Sequence, residues 1–139
     1  MRNQGGINAY QQQQKSGVEV AKPEQLIATL FSKLMETLNK ARHFIEVEDL
    51  ANKIDRMTLA MDILIVLEQS LDHEKGGELA ENLQALYQYC MKRLAEATAS
   101  NNVTIIDEVV HLMGEIQEGW QSVLGSEVNS SNNKVATTG

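Results

Sequence analysis

Residues 70–89 read SLDHEKGGELAENLQALYQY, and this stretch predicts where the chain turns between two helices. Apolar residues recur at helical spacing on both sides of the glycine pair Gly76-Gly77. Glycine adopts the left-handed backbone conformation that ends many helices without the steric cost of a Cβ atom. The pair is therefore predicted to end one helix and to turn the chain back into the next.

Four amphipathic segments make up most of the chain. In each of them apolar residues recur three and four positions apart, which is the spacing of one face of an α-helix. The first segment begins at Pro23, the second covers about 48–71, the third about 77–98, and the fourth begins at Asn101-Asn102 or at Thr104. Helices joined by short links predict an all-α fold, an antiparallel up-down-up-down four-helix bundle.

The two ends of the chain differ in composition from these segments. Residues 1–22 have no helical period and contain Gly5-Gly6 and a run of four glutamines, which predicts a flexible N-terminal arm. Residues 125–139 are small and polar, and they are predicted to be a disordered tail. The bundle is accordingly expected to span residues 23–124.

Charge and composition narrow the possible functions. The chain of 139 residues carries a net charge of −7 and contains no basic cluster. Because phosphate contacts need concentrated lysine and arginine, we expect no nucleic-acid partner. The single cysteine, Cys90, excludes an internal disulfide, which fits a reducing compartment.

The apolar stretches indicate a soluble, cytoplasmic protein without membrane insertion. The longest of them, residues 59–67, is too short to span a bilayer and contains Asp62. The first residues of the chain also lack the apolar core of a secretion signal.

The second segment is apolar on two sides, which allows two interpretations. One stripe consists of Leu50, Ile54, Met57, Met61 and Leu64, and the other of Leu59, Ile63 and Val66. The helix is either a central one that is buried on both faces, or it gives one face to the core and the other to a partner.

The third segment has a single apolar stripe, which is expected to face the core. This stripe consists of Leu79, Leu83, Leu86, Cys90, Leu94 and Ala97. Tyr87 and Met91 lie on its flank, where they are predicted to border a groove between helices.

The polar residues do not form a pattern that predicts catalysis or metal binding. Di-iron carboxylate bundles use two Glu-x-x-His motifs, whereas we find one here, Glu108 to His111. Helical spacing places that pair opposite the apolar stripe of its segment, toward solvent. The adjacent residues Asp72, His73 and Glu74 are interpreted as solvated helix-end residues. We therefore expect no enzyme activity, no metal and no cofactor.

Several motifs together resemble a known family. The stretch 70–89 fits the pattern SLDxExGGExAxNLxxLYxY, residues 7–10 read INAY, and the first helix begins with KPEQLIATLF at residues 22–31. These features are similar to those of the flagellar secretion chaperone FliS family. The chain departs from the family pattern at residues 31–34, which read FSKL, and at Cys90, where methionine is common.

The resemblance implies a function and its partners. Members of the family are small cytoplasmic chaperones that bind the disordered C-terminal segment of flagellin and prevent its premature polymerisation. They pass it to the flagellar type III export gate, so a component of that gate is a second expected partner. The alternative is a generic helical adaptor or regulatory bundle with a different protein partner. The chain is expected to be a monomer or a weak dimer.

Seven residues are the expected partner-binding positions. They are Ile7, Tyr10, Leu59, Ile63, Val66, Tyr87 and Met91. Ile7 and Tyr10 are apolar residues in the polar arm. One hypothesis is that they cover the guest groove when it is empty and move aside on binding, and the alternative is that they pack permanently on the bundle.

Overall fold

Four α-helices form a bundle in the computed structural model, which describes the backbone of residues 23–138 and the side chains of residues 24–120. The helices are α1 (Pro23–Glu46), α2 (Leu50–Gln69), α3 (His73–Ser100) and α4 (Val103–Thr138). α1 packs against α2 and α4. α3 lies diagonally across the bundle from α1 and packs against the same two helices. The all-α four-helix class predicted from the apolar spacing is thereby confirmed.

Each helix contributes one apolar stripe to a single core. Spacings of three and four residues bring these side chains onto the inward face of each helix. The fully buried members are Phe31, Leu34, Leu38 and Ala41 from α1; Met57, Ala60, Leu64 and Leu67 from α2; Cys90, Leu94 and Ala97 from α3; and Ile106, Val109 and Met113 from α4.

Side-chain bonds between α1 and α4 give the direction of this pair. Arg42 near the end of α1 bonds both carboxylate oxygens of Asp107 near the start of α4, at 2.7 and 3.2 Å. Gln117 further along α4 donates to Ser32, which lies earlier in α1, at 3.3 Å. A late residue of one helix therefore faces an early residue of the other, and the two run antiparallel.

The same reasoning applies to α2 and α3. The ammonium of Lys53, near the start of α2, donates to Asn101 just after α3, at 2.6 Å. Gln88 in the middle of α3 donates to Glu68 at the end of α2, at 2.7 Å. This pair is antiparallel as well.

The glycine pair does not end α2, and the sequence prediction was wrong on this point. α2 ends at Gln69, and the chain turns through residues 70–72. Asp72 then caps α3, because its carboxylate accepts the backbone N–H of Lys75 at 3.0 Å. Gly76 and Gly77 thus lie inside α3, where Gly77 has non-helical angles (φ 50°, ψ −123°) and kinks the helix after its first turn.

Replacing Gly77 with alanine is expected to lower the free energy of unfolding by about 1–3 kcal/mol, because a Cβ atom strains this backbone conformation. Gly119, inside α4, is the matched control, since a Cβ atom there would meet no atom within 4 Å. Gly119→Ala is expected to stabilise the protein by about 0.4–1 kcal/mol. Urea unfolding measures both, and equal effects of the two variants would contradict a strained kink.

The buried face of α3 also differs from the predicted one. Leu79 is 65% exposed, and Leu83 and Leu86 are half-buried. Ala80 and Tyr87 are buried instead. They lie one position after Leu79 and Leu86, a rotation of about 100° around the helix axis. Beyond the kink, the inward direction of α3 is set by Tyr87 and by the residues that follow it.

The predicted ends of the bundle fall largely outside the described residues. The flexible N-terminal arm, residues 1–22, lies wholly outside them. The backbone of α4 continues past residue 124, where the bundle was predicted to end. The side chains of residues 121–139 lie outside the described part, and the disordered tail stays a prediction.

Candidate binding surface

Three exposed apolar side chains occur within eight residues where α1 leads into α2. Val47 in the link is 55% exposed, Leu50 at the start of α2 is 50% exposed, and Ile54 one turn later is 52% exposed. Asp49 fixes the start of α2, because its carboxylate accepts the backbone N–H of Asn52 at 3.3 Å. A helix that begins here presents Leu50 and Ile54 on the same face, four residues apart.

This apolar face continues along α2. Met61 and Ile65 follow Ile54 at spacings of seven and eleven residues, and both are half-buried. With Leu50 they form what we call the outer strip: Leu50, Ile54, Met61 and Ile65. From Leu50 to Ile65 the strip is about 22 Å long at the rise of an α-helix. An elongated apolar surface of this kind suits a peptide segment better than a small molecule.

Lys53 lies on the inward side of α2, whereas Leu50 and Ile54 lie on an exposed side. It is only 5% exposed, whereas Ile54 beside it is half-exposed. Its ammonium donates to the backbone carbonyl of Thr98 at 3.0 Å and to the side-chain oxygen of Asn101 at 2.6 Å. Sequence reasoning missed this role, because a lysine among apolar residues is normally assigned to the solvent face.

The predicted partner-binding residues differ in how much of their surface the bundle leaves exposed. Ile63 and Tyr87 lie in the core and are 5% and 3% exposed, so they offer almost no surface to a guest of the intact bundle. Leu59, Val66 and Met91 pack against the core but keep part of their surface. Ile7 and Tyr10 lie outside the described residues.

The titratable side chains near the core are poorly suited to catalysis. Burial raises the pKa of the Cys90 thiol to about 11, and the charge of Glu108 adds to this. Burial likewise raises the pKa of Tyr87 to about 12. Both groups are protonated at neutral pH, so Cys90 is not an activated nucleophile. Within residues 24–120, no group of three or more His, Cys, Asp or Glu side chains is arranged to hold a metal ion.

A polar cluster joins α3 to α4 on the outside of the bundle. Glu108 accepts from Arg93 at 2.7 Å and from the hydroxyl of Tyr89 at 2.8 Å, and Arg93 also pairs with Glu96. The bond from Arg93, and next the one from Tyr89, hold the pKa of Glu108 below its ordinary value of 4.5. The carboxylate therefore stabilises the α3–α4 contact in its charged form.

Acid is expected to remove this contribution. A lowered pKa in the folded state means that the stabilisation is fully present above pH 4.5 and is lost as the pH falls through the folded value. Glu108→Gln should thus be less stable than the unmodified chain at pH 7, and the difference should shrink in acid. Tyr89→Phe removes one of the two donors to Glu108. Its loss of stability at pH 7 should be smaller than that of Glu108→Gln and should also shrink in acid. Thermal unfolding from pH 7 to pH 3 measures this, and a difference that is constant with pH would contradict it.

Comparison with known proteins identifies the family. The family model described as "Flagellar protein FliS" matches residues 6–127, which include the whole described core. The chain belongs to the FliS family. The resemblance carried by residues 70–89 and by the start of α1 is thereby confirmed, and the FliS match extends well beyond these motifs.

Three FliS relatives show how much of the chain is shared. The flagellar secretion chaperone FliS of Salmonella typhimurium is 40% identical over 120 residues, which are 85% of this chain and 89% of the relative. The flagellar secretion chaperone FliSB of Pseudomonas aeruginosa is 37% identical over 121 residues, 84% of this chain and 96% of the relative. FliS of Escherichia coli is 35% identical over 121 residues, 86% of this chain and 89% of the relative.

Membership of the FliS family supports a role as a flagellar export chaperone, which is not an enzyme's role. Such a role implies partners among the substrates of flagellar export. Among the described helices, none is long and apolar enough to cross a membrane. For a chaperone, the feature of interest is apolar surface that the bundle itself leaves uncovered.

Proposed function

We propose that this protein is a cytoplasmic export chaperone for flagellin that works without catalysis. It binds the disordered C-terminal segment of flagellin, prevents premature polymerisation, and delivers the segment to the flagellar type III secretion apparatus through a component of the export gate. The observation that carries the proposal is the outer strip, which leaves Leu50 and Ile54 half-exposed beside a fully packed core. The names of the relatives supply the export role.

The binding mode follows from the shape of this surface. A guest that forms a helix on the outer strip places its own apolar residues three and four positions apart along α2. Val47 extends the surface at one end, and Met61 lies within it. Methionine adapts to differently shaped neighbours because its side chain is flexible and polarisable. Met91 on α3 is proposed to border this surface, and Leu59 and Val66, which lie on the other side of α2, are proposed to contact a separate part of the guest.

The energies permit reversible capture. Burying four to six large apolar side chains contributes roughly 6–15 kcal/mol before costs. Ordering a disordered guest takes back about 2–5 kcal/mol or more. The balance, about 1–13 kcal/mol, includes the roughly 8–12 kcal/mol that a micromolar to nanomolar dissociation constant requires. No energy source is needed for binding, and release at the export gate remains possible.

The arm is proposed to regulate access to this surface. Ile7 and Tyr10 are apolar residues in a polar segment, and we propose that they cover the guest site when it is empty. If the arm competes with the guest, Tyr10→Ala should tighten guest binding. Weaker binding of this variant would contradict competition and would favour a direct contact between Tyr10 and the guest.

The test of the proposal is a calorimetric titration with the C-terminal segment of flagellin from the same organism. We expect one-to-one binding with a negative heat-capacity change, because apolar surface becomes buried. A scrambled segment of equal composition is the control and should bind at least ten times more weakly, about 1.4 kcal/mol. If the folded protein binds neither segment at tens of micromolar, flagellin is not the guest, and a generic helical adaptor with another partner becomes the better interpretation.

A further inference from the structure

We propose that Lys53 is a positioning residue that fixes the register of α2 against α3 and thereby places the outer strip for its guest. The role in guest binding depends on the proposed function. The role in register depends only on the bonds that Lys53 makes.

Lys53 connects three elements of the bundle through one ammonium group. It lies near the start of α2 and reaches the carbonyl of Thr98 in the last turn of α3, at 3.0 Å. It also reaches the side chain of Asn101, at 2.6 Å. Asn101 is the C-cap of α3 in the left-handed conformation (φ 56°), and its backbone N–H donates to Ala97 at 2.8 Å. The start of α2 is thus tied to the end of α3 and to the link that leads into α4.

The bonding partners suit a buried cation. The last carbonyls of a helix lack partners within the helix and carry partial negative charge. The ammonium of Lys53 is directed at one of these carbonyls and at an amide oxygen. Both bonds require one position of the nitrogen relative to the end of α3. A shift of α2 along its axis by one residue, about 1.5 Å, would break them.

Stability alone does not account for a lysine at this position. Burying an ammonium is costly, and replacing a buried charge and its partners with apolar groups is often neutral or stabilising. A leucine or methionine here would continue the apolar face formed by Met57 and Leu64. What the lysine adds is specificity for one register, because apolar side chains pack in several registers whereas these two short hydrogen bonds form in only one.

The register matters because the outer strip flanks Lys53. Ile54 is the next residue and Leu50 lies three residues earlier, both about half exposed. The position of these two side chains relative to α3, and to Met91 on it, is therefore fixed when Lys53 is fixed. A guest that contacts both helices depends on that spacing.

The deciding variant is Lys53→Met, which keeps an unbranched, flexible side chain one atom shorter than that of lysine and removes its charge. We expect its unfolding temperature to change by no more than about 3 °C, because the cost of burying the ammonium is removed and the acceptors left behind, on half-buried Thr98 and exposed Asn101, can bind water instead. We expect its affinity for the C-terminal segment of flagellin to fall about tenfold or more, which corresponds to 1.4 kcal/mol. Lys92→Met, at an exposed lysine on α3, is the matched control and should change neither property.

A double-mutant cycle with Asn101→Gly tests the bond itself. Glycine retains the left-handed cap and removes the side-chain oxygen that accepts from Lys53. If the bond sets the register, Asn101→Gly should weaken guest binding less than Lys53→Met does, and the double variant should be no worse than Lys53→Met. Additive losses of affinity would mean that the two residues act separately, and this would overturn the proposal.

The register is also measurable without a guest. Spin labels at the exposed positions Asp62 on α2 and Ala99 on α3 report the axial offset of the two helices. Lys53→Met should broaden or shift their distance distribution. An unchanged distribution overturns the role in register, as does a large loss of stability, which would make Lys53 a structural residue only. If the distribution shifts while the unmodified chain binds no flagellin segment, the register role stands and the proposed function fails.

Discussion

Replacing Ile54 with aspartate is expected to lower the affinity for the C-terminal segment of flagellin about 10- to 100-fold, because an apolar contact is lost and a carboxylate is buried against the guest. Ile54 is 52% exposed and lies on the outer strip, one helical turn after Leu50. Its side chain contributes little to the core, so the unfolding temperature should change little. The separation of these two effects is what identifies a binding residue. Calorimetric titration and thermal unfolding of the same preparation measure both.

The same substitution at Leu79 is the matched control. Leu79 is more exposed than Ile54, at 65%, but it lies on α3 beside the Gly77 kink and not on the outer strip. Leu79→Asp should therefore leave the affinity for the flagellin segment within about twofold of the unmodified chain. Equal losses in the two variants would place the guest on a broader surface than the outer strip. No loss in either variant would exclude Ile54, and with it the start of the outer strip, from the guest site.

Replacing Phe31 with alanine is expected to cost about 3–5 kcal/mol of unfolding free energy, the largest effect on stability that we expect of a single truncation in this chain. Phe31 is 1% exposed and belongs to the core cluster that the four helices share. Removing its ring costs the transfer of apolar atoms from water and leaves a cavity that the close-packed neighbours fill only in part. For a domain of this size the loss is a large fraction of the total stability.

Urea unfolding followed by helical circular dichroism measures this loss. Val47→Ala is the control, since Val47 is 55% exposed and should change the unfolding free energy by no more than about 0.5 kcal/mol. The dependence of the unfolding free energy on urea should remain similar in all variants if unfolding is two-state. A loss below about 1 kcal/mol for Phe31→Ala would contradict a tightly packed core around α1.

The sequence by itself determined the helices and their class. Apolar residues at spacings of three and four, together with Pro23 at the first helical position, located α1 closely and predicted the four-helix bundle. For the start of α4 it left two possibilities, and the structure begins that helix at Val103, with the side chain of Asn102 accepting from Thr104 at 3.0 Å. These features are local, because helix starts depend on capping groups and on steric preferences within a few residues.

The sequence also determined the family, because the motif at residues 70–89 is specific in the identity and order of its residues. It did not determine what the glycines in that motif do. Glycine adopts backbone conformations with positive φ at no steric cost, and such a conformation serves equally well at a helix end or at a kink within a helix. The side chain of Asp72 decided between the two, since it caps α3 four residues before Gly76 and moves the turn to residues 70–72.

The tertiary structure alone decided which apolar residues are core and which remain exposed. In α2 the periodicity allowed two stripes, and the fold buries Ile63 and leaves Leu50 and Ile54 half-exposed. The reason is physical. Periodicity shows that a helix has an apolar face, whereas burial depends on where neighbouring helices lie around it. Lys53 is the clearest case, because its place in the interior depends on acceptors from the end of α3, some 45 residues away along the chain.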